Sequence, residues 1–218
     1  MEHPCRGIIV DWAGVLTTPL RTTIETWITA EGIDAAHYFE VMRSWAGGAY
    51  AAAGTNGDPI RALERGELAP EHFERQFAAE LRRDDGGAVV AEGLLQRMFG
   101  GFTPEVEMYD LLRAARAQGL RTCLLSNSWG NSYPRTELNA VLDTLVISGE
   151  VGMRKPDAEI FHYTLDKIGL SAPECVFIDD MRPNIEAAQE LGIPAILHRD
   201  PTSTRHALHH THGLHALA

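Results

Sequence analysis

The sequence is short of positive charge and of long apolar runs. Lys and Arg total 19 against 30 Asp and Glu, which gives a formal net charge of −11 at pH 7. A surface this acidic repels nucleic-acid backbones and anionic lipid, so we expect neither as a partner. No apolar run approaches the roughly 20 residues that a membrane span needs, so we also expect no insertion into a membrane.

Cysteine is scarce as well, with three residues at positions 5, 123 and 175. An odd and scattered set does not make a disulfide framework, which predicts a protein of the reducing cytoplasm. The opening MEHPCRG lacks the charged-then-apolar pattern of a signal peptide, in line with a cytoplasmic location. Cys123 and Cys175 stand inside apolar runs, where we expect small buried hydrophobic side chains. The sequence leaves the oligomeric state open.

What is present is an alternation of short apolar runs and helix-length segments. The apolar runs that predict strands are Gly7–Trp12, Leu120–Ser126, Thr144–Ser148, Cys175–Asp179 and Pro194–His198. The segments with helical spacing between them are Glu105–Gln118, Pro156–Ile168 and Pro183–Leu191. Strands that alternate with helices predict an α/β fold with a Rossmann-like parallel sheet, covered by helices on both faces.

Residues 17–100 interrupt this alternation. They predict consecutive helices without a strand, at Thr22–Glu31, Ala35–Ala46, Pro59–Arg65, Pro70–Arg83 and Ala88–Phe99. A helical block inserted after the first strand is most simply a cap over the end of that strand, although a separate bundle without a catalytic role is the alternative. We therefore expect residues 1–16 and 101–218 to form the core and residues 17–100 to form a helical cap.

Acidic and hydroxyl side chains stand at the ends of the predicted strands. Asp11, Ser126 and the pair Asp179 and Asp180 all fall at carboxyl ends, where ligands bind in open parallel sheets. Carboxylates from two strand ends make a site of hard oxygen ligands that suits Mg²⁺. The sequence therefore predicts a magnesium site at this edge.

Four motifs follow one another along the chain: IIVDWAGVLT, CLLSNS, GMRKPD and FIDDMRPN. A carboxylate such as Asp11 can attack phosphorus, and water can hydrolyse the resulting aspartyl-phosphate. The hydroxyl of Ser126 can bind a phosphate oxygen, and Lys155 can add a point charge. A strand-end serine or a lysine before proline is by itself usually structural or solvated, but the four motifs together indicate a phosphotransfer site.

With these motifs, from Gly7 to about Gly192, the chain resembles the haloacid dehalogenase superfamily of hydrolases. The strings MRKPD and FIDD followed by PN resemble the phosphatase domain of soluble epoxide hydrolase and its bacterial relatives. The resemblance implies a capped fold and a Mg²⁺-dependent hydrolase of phosphorylated small molecules. It also implies that Asp11 is the nucleophile and a metal ligand, and that the backbone carbonyl of Ala13 is a second ligand.

The same resemblance assigns the remaining positions of the motifs. Ser126, with the backbone of Asn127, would bind phosphate, and Lys155 would stabilise the charge of the nucleophile and of the phosphoryl group. Asp180 would be the acidic metal ligand, and Asp179 would support it or reach the metal through water.

Ala13 departs from the family pattern, because phosphatases of this family carry an aspartate there as general acid and base. Such help is typically worth about 10²–10⁴-fold in rate. The departure implies modest turnover or a substitute acid from the cap or the substrate. The alternative is a relative with little or no catalysis that binds a phosphorylated ligand or a protein partner.

Two other variants of the family pattern are relevant. Phosphonoacetaldehyde hydrolase shares the string DWAG but forms a Schiff base through a cap lysine, whereas the two lysines here, Lys155 and Lys167, lie outside the predicted cap. The 2-haloacid dehalogenases lack the second aspartate and use no metal. The retained pair Asp179 and Asp180 argues against a metal-free dehalogenase without deciding the matter.

Two further groups of residues have uncertain roles in the sequence. In the predicted cap, the residues considered for reading the substrate are Trp27, Arg43, Trp45, Arg61 and Arg65, although such residues often belong to a core or a surface. Near the C-terminus, His209, His210, His212 and His215 are too closely bunched to favour a metal site over the end of a final helix.

Overall fold

The computed structural model describes residues 5–46, 58–130, 132–211 and 214. A five-stranded sheet lies at its centre, and all neighbouring strands in it are parallel. The strands are β1 (Gly7–Val10), β2 (Arg121–Ser126), β3 (Thr144–Ile147), β4 (Cys175–Asp179) and β5 (Ala195–Leu197), in the spatial order β3-β2-β1-β4-β5. The predicted Rossmann-like α/β fold is confirmed.

Helices cover both faces of this sheet, because alternate side chains of each strand are apolar on either face. On β1, Ile8 and Val10 pack into one apolar cluster and Ile9 packs into the other. The helices that follow the insert are α6 (Val106–Ala117), α7 (Arg135–Val141), α8 (Ser148–Val151), α9 (Ala158–Ile168), α10 (Arg182–Glu190) and α11 (Pro201–Thr211). Cys123 and Cys175 are free and buried in the cluster around Ile9, as predicted.

In the described part of the chain between β1 and α6 there are five helices. They are α1 (Leu20–Glu31), α2 (Ala35–Ala46), α3 (Pro59–Glu64), α4 (Pro70–Glu80) and α5 (Leu94–Phe99). Their buried side chains form an apolar cluster separate from the two clusters of the sheet, with Phe73, Phe77 and Leu94 fully buried in it. This separate core supports the predicted domain boundaries after residue 16 and after residue 100. These boundaries remain a prediction.

The structure differs from the sequence prediction mainly in its short helices. The predicted helix Ala88–Phe99 begins only at Leu94, because Gly93 takes a left-handed conformation and its N–H donates to Glu74. The sequence did not predict α7 or α8, which have seven and four residues. The predicted final helix is present as α11, while His212 and His215 lie outside the described residues. Within those residues, no helix combines the length and apolarity that a membrane span requires.

Candidate active site

Side chains from three of the four motifs meet at the carboxyl edge of the sheet. Asp11 directly follows β1, Asp179 ends β4, and Lys155 lies in the loop between α8 and α9. Because β1 and β4 are neighbours in the sheet, the two carboxylates lie close together. Lys155 Nζ is 2.8 Å from Asp11 Oδ1 and 2.6 Å from Asp179 Oδ2. The structure therefore brings together the residues that the sequence placed in one site.

Asp179 is held by donors on both carboxylate oxygens. Its Oδ1 accepts from the backbone N–H of Met181 at 2.7 Å and from Asn184 Nδ2 at 3.0 Å. Its Oδ2 accepts from Lys155 Nζ and from the same Asn184 amide at 3.0 Å. The residue is fully buried. This arrangement fixes Asp179 as a support for its neighbours, and Asn184 is a member of the site that the sequence analysis missed.

Asp180 lies against the turn that follows β1. Gly14 in that turn has a φ of 79°, and a Cβ built there would lie 2.5 Å from Asp180 Oδ2. Only glycine leaves room for this carboxylate, because any side chain would both strain the backbone and strike it. One carboxylate oxygen each from Asp11, Asp179 and Asp180 lies within 4.8 Å of the other two. The turn thus packs three carboxylates into one small volume.

Burial and neighbouring negative charge raise the proton affinity of Asp11 and Asp180. Burial, joined by the charge of Asp179, raises the pKa of Asp11 to about 6. Burial and the charges of Asp11 and Asp179 raise the pKa of Asp180 to about 7. For Lys155, burial alone would lower the pKa, but the two carboxylates it contacts raise it, so its ammonium group stays charged. One ammonium group offsets only part of the negative charge of three carboxylates.

Ser126 and Asn127, which the sequence assigns together to phosphate binding, make different contacts in the structure. The Ser126 hydroxyl is buried and lies 3.0 Å from the hydroxyl of Tyr133, whose pKa burial raises to about 12. The amide of Asn127 donates to the backbone carbonyl of Lys155 at 2.9 Å and accepts from its N–H at 2.8 Å. Asn127 therefore holds the loop that carries Lys155. Tyr133, a second residue that the sequence analysis missed, orients Ser126.

A cavity of about 470 Å³ opens above these groups. Asp11, Lys155 and Asp180 lie at its polar end, and Ala13 also lines it. Its apolar walls come largely from the insert, through Ile24, Tyr38, Phe39, Met42, Ile60 and Met98. A cavity with a charged end and apolar walls fits a small molecule with an anionic group on an apolar body.

The five cap residues considered for substrate reading are not among the described residues that line this cavity. Trp27 is buried in the core of the insert, and Trp45 packs on Phe73 there. Arg65 makes an ion pair with Asp157 at 3.2 Å. Trp27 and Trp45 therefore contribute to the packing of the insert, and Arg65 contributes to its contact with the core.

A buried ion pair joins the insert to the core beside the cavity. Arg154 Nε donates to Glu64 Oε2, and Trp129 Nε1 donates to Glu64 Oε1 at 3.0 Å. Arg154 is fully buried and Glu64 is 5% exposed. The sequence analysis missed both residues, although the arginine directly before Lys155 in GMRKPD was the available signal.

Comparisons with known proteins agree with this fold and arrangement. A family model described as haloacid dehalogenase-like hydrolase matches residues 5–192, so the chain belongs to that family. It is 27% identical to bifunctional epoxide hydrolase 2 of Sus scrofa over 227 residues, which cover 97% of the chain and 40% of that protein. The chain thus spans less than half the length of this relative.

A fungal protein and a bacterial crystal structure provide two further matches. The chain is 28% identical over 153 residues to a sesquiterpene phosphatase of Aspergillus oryzae, covering 68% of the chain and 76% of that protein. The crystal structure of a family enzyme from Bacteroides thetaiotaomicron, in complex with magnesium and inorganic phosphate, matches with a TM-score of 0.64. At 21% identity, over 90% of this chain and 95% of the other, that match shows the fold.

Proposed function

We propose that this protein is a Mg²⁺-dependent phosphatase that hydrolyses phosphate monoesters of apolar alcohols. The observation that carries the proposal is the convergence of Asp11, Asp180 and Lys155 at one end of an apolar cavity. The carboxylates and the ammonium group suit phosphoryl transfer, and the apolar walls suit the alcohol. The sesquiterpene phosphatase among the relatives supports an apolar alcohol as the leaving group.

The carboxylate cluster fits a magnesium ion. Its ligand atoms are hard oxygens packed within 4.8 Å, and a bound cation would favour the ionised forms of Asp11 and Asp180, whose pKa values are raised. Asp11, Asp180 and the backbone carbonyl of Ala13 would hold it, while Asp179, with donors on both oxygens, supports the site. When bound, the ion neutralises charge on the phosphoryl group.

In the proposed reaction Asp11 supplies the nucleophile. Its carboxylate forms a bond to phosphorus while the bond from phosphorus to the ester oxygen breaks, which yields an aspartyl-phosphate and the anion of the alcohol. This anion takes a proton from water or from a hydroxyl of the cap. Lys155, 2.8 Å from Asp11, stabilises the phosphoryl charge, and Ser126 with the Asn127 backbone binds the phosphate oxygens. Water then attacks phosphorus, which releases inorganic phosphate and restores the carboxylate.

The test is Asp11→Asn, which is nearly isosteric. We expect this variant to lose aryl phosphate hydrolysis while the fold stays intact, as measured by circular dichroism. Beryllofluoride with Mg²⁺ should bind to wild type as a mimic of the aspartyl-phosphate and should not bind to the variant. An Asn variant with the wild-type rate would show that another group attacks phosphorus.

Ala13 favours a second candidate function, the binding of a phosphorylated ligand with little turnover. Its methyl group lines the cavity at the position where the family's general acid stands. The two functions separate in one assay, with phosphate release from aryl phosphates measured beside binding of inorganic phosphate in the presence of Mg²⁺. Tight binding without release would favour the second.

A further inference from the structure

Among the described residues that line the cavity, Arg154 has guanidinium N–H groups that make no hydrogen bond. Its Nε donates to Glu64, but within the described residues neither Nη1 nor Nη2 has a hydrogen-bond partner. The side chain is 1% exposed, and the residue lines the cavity that holds the catalytic groups. Buried donors without partners are costly and rare, which points to a ligand atom at this place.

The charges around Arg154 define the kind of atom that fits. Glu64 already compensates the positive charge, and that carboxylate is itself fixed by Arg154 and by Trp129 Nε1. A second anion would meet an arginine whose charge is already paired, close to the carboxylate of Glu64. A neutral oxygen, as in an ether, carbonyl or hydroxyl group, accepts a hydrogen bond without adding charge to a buried site.

The walls of the cavity restrict the rest of the ligand. They are apolar where the insert contributes Ile24, Phe39 and Met42, so the body of the alcohol must be apolar there. Arg154 precedes Lys155 in the chain and lines the same cavity, so a single ligand in this cavity would lie beside both residues.

We infer that Arg154 is a specificity-determining residue, whose two Nη groups donate to a neutral oxygen in the leaving group of the substrate. The favoured substrate is then the phosphate monoester of an apolar alcohol that carries one such oxygen. This inference rests on the proposed phosphatase activity for its kinetic test, and a binding test keeps the two apart.

The kinetic test uses pairs of isosteric aryl phosphates, a propylphenyl phosphate and the corresponding (methoxymethyl)phenyl phosphate, substituted at the ortho, meta or para position. The two members differ by one ether oxygen and have closely similar leaving-group acidity. At one ring position, we expect wild type to favour the ether in kcat/KM by about tenfold, the scale of one unmade buried hydrogen bond. Arg154→Lys should bring that ratio close to one.

The matched control is Arg65→Lys. Arg65 also joins the insert to the core, through Asp157, but it does not line the cavity. This variant should keep the wild-type preference for the ether. If Arg154→Lys lowered kcat/KM equally for both members of the pair, its role would be structural and the inference would be overturned. Equal kcat/KM values for wild type at every ring position would overturn it without any variant.

The binding test uses the product alcohols, measured by calorimetry on wild type. If no aryl phosphate is hydrolysed but the ether-bearing phenol binds about tenfold tighter than the propylphenol, the phosphatase proposal fails and the inference stands. If no ester is hydrolysed and the two phenols bind equally, the phosphatase proposal and the inference about Arg154 both fail.

Discussion

At position 13 the side chain is a methyl group, and among the described residues that line the cavity the acids are Asp11, Asp180 and Glu64. Ala13 packs against the apolar cluster of the sheet and lines the cavity beside Asp11. Glu64, another acid at the cavity, is committed to Arg154 and Trp129. In the proposed reaction, the departing oxygen therefore leaves as an anion or takes its proton from water or from a cap hydroxyl.

Restoring the acid should raise the rate most for poor leaving groups. We expect Ala13→Asp to increase kcat/KM for alkyl phosphates by up to about 10²-fold and to change it much less for aryl phosphates, which depart readily without a proton. The measurement is kcat/KM for esters of graded leaving-group acidity, wild type against variant.

The control for this prediction is Tyr38→Phe. The Tyr38 phenol is the cap hydroxyl that lines the cavity, and burial raises its pKa, so it stays protonated. If wild type showed no dependence on leaving-group acidity and Tyr38→Phe introduced one, the phenol would supply the proton and Ala13 would not limit the rate.

The raised pKa values of Asp11 and Asp180 predict a pH-dependent stability of the metal-free protein. Both rise from the ordinary 3.8, to about 6 and about 7, so ionisation of these groups opposes folding. Their contribution to stability is present at low pH and is lost as pH rises from about 4 through about 7. Added Mg²⁺ should raise the melting temperature increasingly across the same window, because its ligands must be deprotonated.

The measurement is the melting temperature in EDTA and in Mg²⁺ as a function of pH, with Asp180→Asn as the comparison. The variant removes one titrating group, so the difference between the two conditions should flatten. A wild-type Mg²⁺ effect that does not change with pH would contradict the assignment of these carboxylates as ligands.

At the level of secondary-structure elements, the turn between α3 and α4 brings the insert into contact with the core. Gly66 in this turn has a φ of 70°, and a Cβ there would lie 2.6 Å from the carbonyl oxygen of Gly149 in α8. We expect Gly66→Ala to destabilise the protein and to raise KM for apolar esters, because the turn must move away from α8. Thermal unfolding and steady-state kinetics measure the two effects.

Gly32, at the end of α1, provides a control that distinguishes the cost of backbone strain from the cost of a clash with a neighbouring element. It has a φ of 60° but nothing within 4 Å of a built Cβ. Gly32→Ala should therefore cost only the left-handed backbone strain, about 1–2 kcal/mol, with little change in KM. If Gly66→Ala resembled Gly32→Ala in both measurements, the contact with α8 would have no role in holding the cavity closed.

How far the elements follow from the sequence depends on their length and burial. The strand β4 has the predicted bounds, because CVFID is a continuous apolar run before an acid. The helix α8 has four residues, too few for a periodic pattern, and its formation depends on contacts with β3 and α3. Short elements of this kind are decided by tertiary packing, which the local sequence does not contain.

At the scale of the whole molecule, the sequence predicts the polar end of the cavity better than its walls. Asp11 and Asp180 were predictable because strand ends meet at one edge of a parallel sheet, and Lys155 was predictable from its motif GMRKPD. The pair of Glu64 and Arg154 was not, since it joins residues 90 positions apart across two apolar cores. Only the packing of the insert on the sheet decides which side chains face the ligand.

The contacts of Trp129 determine which part of this fold can be exchanged between members of the family. It follows Asn127 by two positions in the core, yet its ring packs on Phe73 and Phe99 of the insert, with centroids 5.5 Å and 5.9 Å apart. A helical insert transplanted from another family member would leave this indole without its aromatic neighbours. The unit that recombination or protein engineering can exchange is therefore the insert together with the loop from Asn127 to Trp129.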